Sequence, residues 1–179
     1  MNKLLVVVDY QTDFVTGALG FAQAEALEIP IAKQVALALE QGWKVLFTMD
    51  THSEQYLSSR EGKFLPVSHC IENTSGWNLH GTLQQYQNQP HPQIALLKKP
   101  TFGCTNIAEK VINFCGQEPE EIALCGVVTN ICVLSNAILL HSAFLSSKIS
   151  ILGQLCASPD PQQHQHTLQL LQGMGYTIL

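Results

Sequence analysis

Apolar residues in this chain gather in short runs, each ending on a polar group. Leu4–Asp9 (LLVVVD) is a continuous apolar stretch closed by a carboxylate, as expected of a strand covered on both faces. Lys44–Asp50 (KVLFTMD) repeats the pattern. Ile94–Leu97, Glu121–Val127 and Lys148–Leu155 read as three further strands, and Tyr176–Leu179 as a short edge strand. Longer segments with helical spacing fall between them. Ile31–Gln41 opens near Pro30 and closes at Gly42. Asn106–Phe114 carries Asn106 and Glu109 as a capping pair. Asn130–Leu145 is apolar enough to be well buried. Asp160 caps a last helix with Pro161 at its first position. Strands alternating with helices predict an α/β fold, a three-layer α/β/α sandwich around a mainly parallel central sheet. Residues 1–179 are expected to form a single domain.

One segment breaks the rhythm. Thr51–Gln93 is long, irregular and rich in Ser, His, Gly and Asn. Loops of this length in compact domains are functional or disordered. Tyr56, Phe64 and Trp77 argue for an ordered one.

Composition narrows the function classes. A net charge of -5 gives no basis for binding nucleic acid, which needs basic patches. No apolar run is long enough to cross a membrane. The first apolar run leads directly into Asp9 without a cleavage site, so it reads as a strand rather than a signal peptide, and a cytoplasmic location is expected. The six cysteines form no CxxC pair and read as free thiols.

Parallel sheets bind ligands beyond the carboxyl ends of their strands. Asp9, Gln11, Asp13 and Phe14 follow the first strand, and Asp50 and His52 the second. Lys99 and Pro100-Thr101-Phe102-Gly103 follow the third. Gly126-Val127-Val128-Thr129-Asn130-Ile131-Cys132 closes the fourth. With Thr129 as the cap, Cys132 falls at the third position of a helix, where free N–H groups and the helix dipole favour a thiolate and can hold an oxyanion. The alternative is a buried structural cysteine. Asp9, desolvated at a strand end, suits a base that takes the thiol proton; its alternative is a structural cap of the next loop. Lys99 or Lys98 supplies a cation, and spacing does not rank the two. Asp50, His52, Glu61 and His69 form a mixed carboxylate and imidazole set that suits zinc, manganese or iron, although loop His and Glu residues are common without a metal. Phe14 and Phe102 are candidate walls for a flat ring, with Phe64 undecided. His164 and His166, set among glutamines, read as a solvated face, while His80, His91 and His141 carry no motif.

The segments Val8-Asp9-Tyr10-Gln11-Thr12-Asp13-Phe14, Lys99-Pro100-Thr101-Phe102-Gly103 and Gly126-Val127-Val128-Thr129-Asn130-Ile131-Cys132-Val133 together resemble the isochorismatase-like cysteine hydrolases, and among them the nicotinamidases. The resemblance spans nearly the whole chain. It implies a catalytic triad of Asp9, Lys99 and Cys132, choosing Lys99 because it stands three residues before an aromatic. It also implies a cis peptide at Val128–Thr129 in an oxyanion loop, and a divalent metal on Asp50, His52, Glu61 and His69, zinc first with manganese or iron as alternatives. Many nicotinamidases carry a second His where this chain has Ser58-Ser59-Arg60, so Glu61 must supply that ligand. The implied reaction cleaves a small-molecule amide, nicotinamide in the first instance, to its acid and ammonia through a thioester on Cys132, a step in pyridine nucleotide biosynthesis. Another small amide, ureide or vinyl ether, or a non-catalytic binding role, are the alternatives. A homo-oligomer is expected.

Overall fold

A computed structural model describes residues 2–179. The elements follow in order: β1 (Lys3–Val8), the short helices α1 (Thr12–Val15) and α2 (Ala22–Glu25), α3 (Glu28–Glu40), β2 (Lys44–Asp50), α4 (Arg60–Phe64), α5 (Gln84–Asn88), β3 (Ile94–Lys99), α6 (Ile107–Cys115), β4 (Glu121–Val127), α7 (Leu134–Ala143), β5 (Lys148–Ala157), α8 (Pro161–Gly173) and β6 (Thr177–Ile178). All strand pairings are parallel, in the order β3-β2-β1-β4-β5-β6. Leu4, Leu5, Val6, Val7 and Val8 are all fully buried, as an inner strand covered on both faces requires. Each such side chain contributes about 1.5–3 kcal/mol of burial. Right-handed crossovers put α3, which leads leftward from β1, and α7, which leads rightward from β4, on opposite faces. The three-layer α/β/α arrangement follows. Among the described residues no helix is long and apolar enough to cross a membrane.

Strand order reverses between β1 and β4, so a crevice opens beyond their carboxyl ends. Gly126 makes their close approach feasible. Its φ is +114°, and a Cβ there would lie 2.2 Å from the Val8 carbonyl oxygen.

Several boundaries differ from expectation. α3 starts at Glu28, with Pro30 inside the first turn, where its missing N–H costs nothing. β3 runs on to Lys99, which is therefore the strand's last residue rather than one beyond its end. The helix expected over Asn130–Leu145 divides into a π-helical turn, Thr129–Val133, followed by α7. The Val128 carbonyl accepts from both Ile131 N–H (3.1 Å) and Val133 N–H (3.2 Å), and the second bond widens the turn. Asn106 caps α6 by position only, because its Oδ1 accepts from the Cys104 thiol instead. Asp160 does cap α8, accepting from Gln162 N–H at 2.8 Å. The long Thr51–Gln93 segment is pinned to the sheet: Trp77 Nε1 donates to Thr51 Oγ1 (2.9 Å), and bridges join His52 to Ile71 and Gln11 to Leu79.

Candidate active site and metal centre

Asp9 is the first residue past β1, fully buried, with a left-handed φ of 47°. Its Oδ1 accepts from the Thr48 hydroxyl (2.7 Å), and its N–H is held by Thr48 O and Oγ1 (each 3.2 Å). Its Oδ2 lies 2.6 Å from Lys99 Nζ and has no other hydrogen-bond partner. Lys99 reaches it from β3, two strands away. The pairing of Asp50 with Lys99 brings that residue alongside Asp50. Lys99 Nζ contacts Asp50 Oδ1 (3.3 Å), the Thr101 carbonyl (3.0 Å) and Cys132 Sγ (3.8 Å). Lys98 points the other way, as strand alternation requires. It is half exposed, pairs with Glu72 at 2.6 Å and covers the Trp77 ring. The strand register therefore settles the choice that sequence spacing leaves open.

Burial dominates the protonation of this trio. It pushes the Asp9 carboxyl up, against the pull of the Lys99 ammonium, and Asp50 adds to the rise. It also drives the Cys132 thiol well above its usual range, with Lys99 opposing and Asp9 reinforcing. Burial works against charge on Lys99 too, but Asp9, Cys132 and Asp50 together hold its ammonium well above the ordinary lysine range. Burial thus favours a protonated thiol at Cys132, and the helix-start effect expected to favour a thiolate is outweighed by desolvation. All six cysteines are free and buried, and only Cys132 is placed against Lys99 Nζ in this way.

The cis peptide lies between Val127 and Val128, one bond earlier than the expected Val128–Thr129. Val128 carries the carbonyl that opens the π-helical turn, so the chain must already have changed direction before Thr129. Thr129 is fully buried, and its hydroxyl lies 2.9 Å from His164 Nδ1. That contact corrects the solvated-face reading of His164, whose imidazole burial pushes below its ordinary pKa. The first turns of α8 lie across the Thr129–Val133 turn that carries Cys132, which no local pattern of glutamines reveals.

Asp50, His52, Glu61 and His69 present ligand atoms that all lie within 4.8 Å of one another. Asp50 Oδ2 sits 2.9 Å from His52 Nε2 and 3.3 Å from His69 Nε2, and Glu61 Oε1 lies 3.7 Å from His52 Nε2. His69 Nδ1 is 2.8 Å from the Val67 carbonyl. A proton on Nδ1 satisfies that carbonyl and leaves the Nε2 lone pair aimed at the cluster, as metal-ligating histidines are commonly arranged. Glu61 Oε1 is a buried acceptor with no hydrogen-bond partner. This orphaned acceptor and the mixed N/O donor set fit a divalent cation. Tyr56 packs on both imidazoles, with ring centroids 4.5 Å from His52 and 4.8 Å from His69.

Cys132 opens on one cavity of about 310 Å³ together with Asp50, Glu61 and His69 of the donor cluster. Phe14 and Phe102 line it, with Leu19, Leu65, Val128 and Ile131 completing the apolar wall. Phe14 also meets the His69 ring edge-on at 5.3 Å. Phe64 is 80% exposed on α4 and does not line this cavity.

With this geometry in place, comparison with known proteins is informative. An isochorismatase-domain profile matches residues 3–179. The chain belongs to the isochorismatase family. It is 29% identical over 143 residues to the isochorismatase family protein PncA of Bacillus subtilis (strain 168), covering 77% of this chain and 78% of that one. The crystal structure of nicotinamidase PncA from Bacillus subtilis superposes with a TM-score of 0.87 at 26% identity, over 99% of both chains. The zinc complex of Pyrococcus horikoshii pyrazinamidase has a TM-score of 0.83 at 22% identity, covering 100% of this chain and 99% of that one, and supports the fold. The chain is a hydrolase of this family, and its neighbours fall on the nicotinamidase side of it.

Two supporting residues, Thr48 and Asn136, escape sequence reasoning, and Gln11, placed at the rim by it, receives no role there. Thr48 orients Asp9, and its signal was a hydroxyl inside an apolar strand, two positions before Asp50. Gln11, fully buried, holds both backbone groups of Asp50: Oε1 accepts from Asp50 N–H (2.7 Å) and Nε2 donates to Asp50 O (2.9 Å). Asn136 lies one helical turn past Cys132 in a mainly apolar helix.

Proposed function

We propose that this chain is a cysteine amidohydrolase that converts nicotinamide to nicotinic acid and ammonia. The observation that carries the reading is the convergence on one cavity of Cys132, which faces Lys99 and its partner Asp9, and of Asp50, Glu61 and His69 from a four-donor cluster. A thiol nucleophile beside a base is built for acyl transfer, and a cation site a few ångströms away suits a substrate with a ring nitrogen.

Asp9 is the base. Its Oδ2 carries the Lys99 contact and no other hydrogen bond, so it is free to take the Cys132 proton. Lys99 offsets the charge as the thiolate forms. The thiolate adds to the amide carbonyl. Ile131 and Val133 N–H are already committed to Val128 O, which leaves the oxyanion to other backbone N–H groups of this turn near Thr129 and Cys132. Protonated Asp9 gives its proton to the departing amine, releasing ammonia and leaving a thioester on Cys132. Asp9 then removes a proton from water, whose oxygen attacks the thioester carbon. The acid leaves and the thiol is restored. Phe14 and Phe102 hold the ring between them. Bound by Asp50, His52, Glu61 and His69, a divalent cation (zinc first, manganese or iron otherwise) supplies a Lewis-acid anchor for the pyridine nitrogen.

The test is ammonia release from nicotinamide by the purified chain and by Cys132→Ala. The expected result is turnover by the first and none by the second. Retained turnover in Cys132→Ala overturns the nucleophile. No turnover of nicotinamide by a chain whose Cys132 still alkylates overturns the substrate and redirects the search to other small amides.

A further inference from the structure

Asn136 has 0% exposure, and its side-chain amide spends all its bonds on backbone. Nδ2 donates to the Phe102 carbonyl (3.1 Å) and the Cys132 carbonyl (2.8 Å), and Oδ1 accepts from Cys104 N–H (2.9 Å). The partners belong to two separate segments. Phe102 and Cys104 lie in the loop leaving β3, just past Lys99, and Cys132 lies in the nucleophile turn. Gly103 brings the loop close enough: a Cβ there would meet Leu139 Cδ1 at 2.8 Å and Ser135 Cβ at 3.0 Å, both on α7. A buried amide with three of its four hydrogen-bonding sites filled across two segments is a clamp, since loosening either segment leaves buried polar groups unpaired.

We propose that Asn136 is a positioning residue that sets the Lys99 loop against the nucleophile turn, so that one amide fixes both the Phe102 wall and the Cys132 backbone. The inference rests on the assignment of Cys132 as nucleophile and Phe102 as ring wall. The chain of contacts is short. Lys99 Nζ is anchored on the Thr101 carbonyl (3.0 Å), one residue before Phe102. Phe102 is tied through Asn136 to the carbonyl of Cys132, whose Sγ faces Lys99 Nζ at 3.8 Å. Releasing the clamp lets the ammonium and the sulfur drift apart and lets the aromatic wall move off the ring.

Asn136→Ala and Asn136→Asp in the full chain test this, with three readouts: kcat and KM for nicotinamide, the pH profile of Cys132 alkylation by iodoacetamide followed by peptide mass, and thermal midpoint. For Asn136→Ala, kcat is expected to fall by between about 10- and 100-fold, the scale of ångström-level misplacement. KM rises with it, and the alkylation midpoint moves to higher pH as Lys99 loses its hold on the sulfur. Asn136→Asp places a carboxyl against two carbonyl oxygens, which keeps it protonated. It therefore retains one donor and recovers part of the loss, and the recovery fades as pH rises. Asn136→Ala shows no such fading. A folded Asn136→Ala with wild-type kcat and alkylation profile, losing only thermal stability, overturns the proposal. If that variant does not fold, an Asn136→Asp deficit that is flat with pH overturns it instead. The two failures separate cleanly. A wild-type chain inactive on nicotinamide, with an alkylation midpoint that still moves in Asn136→Ala, sinks the substrate and keeps the clamp. An active wild type with an unmoved midpoint sinks the clamp alone.

Discussion

Replacing Lys99 with Met keeps the apolar stem and removes the ammonium, at a site where Asp9 and Asp50 side chains are 0% and 2% exposed. Asp50 retains His52 and His69, but Asp9 is left with the Thr48 hydroxyl. Removing one partner of a buried pair costs about 3–5 kcal/mol, because the survivor stays charged in a medium that cannot solvate it. Asp9 has an escape: it can bind a proton, at about 1.4 kcal/mol per pH unit above its folded pKa. Burial already raises that pKa, so the escape is near and the low end, roughly 3 kcal/mol at neutral pH, is expected. For a chain of this length that is a fall of about 6–12 °C in Tm. The sign with pH follows from linkage. In Lys99→Met the folded Asp9 binds a proton at pH values where the unfolded one has lost it, so stability declines as pH rises through that window and the deficit shrinks on acidification. Urea unfolding followed by Trp43 and Trp77 fluorescence, in chelator and across about pH 5 to 8, reads this directly. Asp9→Asn/Lys99→Met should recover about 2 kcal/mol of the single-variant loss, because no carboxylate is left stranded there. A Lys99→Met stability within about 0.5 kcal/mol of wild type, or a deficit that does not change with pH, would refute the picture of a buried ion pair held together by this one ammonium.

Other consequences are as open to measurement. His69→Ala removes a donor whose ring is fixed by Val67, so zinc retained after dialysis should drop from about one equivalent per chain, with affinity down by ~100-fold or more; a variant that still holds zinc tightly against a chelator rules out the cluster as its site. The acid limb of kcat/KM should have its midpoint above the ordinary carboxylate value of 3.8, since activity requires ionised Asp9 and burial raises its pKa; a limb at or below that value removes Asp9 as the base. Gly126→Ala should cost roughly 3 kcal/mol or more, or prevent folding, because the added Cβ meets the Val8 carbonyl at 2.2 Å on a φ of +114°; a wild-type Tm would show that β1 and β4 need no such close approach.

The fold was legible because an inner parallel strand cannot hide its pattern: a run such as Leu4–Val8 suits only a site covered on both faces. Asp9, Asp50 and Cys132 were legible as candidates for a related reason, since each is a polar or reactive group just where such a run stops. Lys99 was harder. Ile94-Ala95-Leu96-Leu97-Lys98-Lys99 has no polar alternation, yet Leu97 and Lys99 are buried while Leu96 and Lys98 are exposed. The residues' own spacing does not rank the two lysines; the resemblance chose Lys99, and pairing with β2 shows it to be the one that turns inward. The cis bond lies one residue earlier than expected, between Val127 and Val128, where β4 ends and the turn opened by the Val128 carbonyl begins. Asn136 and His164 were missed for a shared reason. Each looks ordinary within its own helix and takes its meaning from a segment elsewhere in the chain, Phe102–Cys104 for one and Thr129 for the other.

Asp50 explains why the two halves of the site belong together. One oxygen faces Lys99 (3.3 Å); the other faces His52 (2.9 Å) and His69 (3.3 Å). Burial alone would push this carboxyl up, but Lys99 and the two imidazoles outweigh it and hold it well below its usual range. Its backbone is gripped on both sides by the Gln11 amide, so it cannot swing toward one half at the expense of the other. Charge drawn toward Oδ2 is therefore charge withdrawn from Oδ1, and Lys99 is then shared less with Asp50 and more with Asp9 and Cys132. In a buried site, where effective dielectric is low, that redistribution is not screened away. Under the proposed assignment of Cys132 and the donor cluster, Asp50 is therefore the residue through which a cation beside the histidines would bear on the Lys99 ammonium and the sulfur it faces.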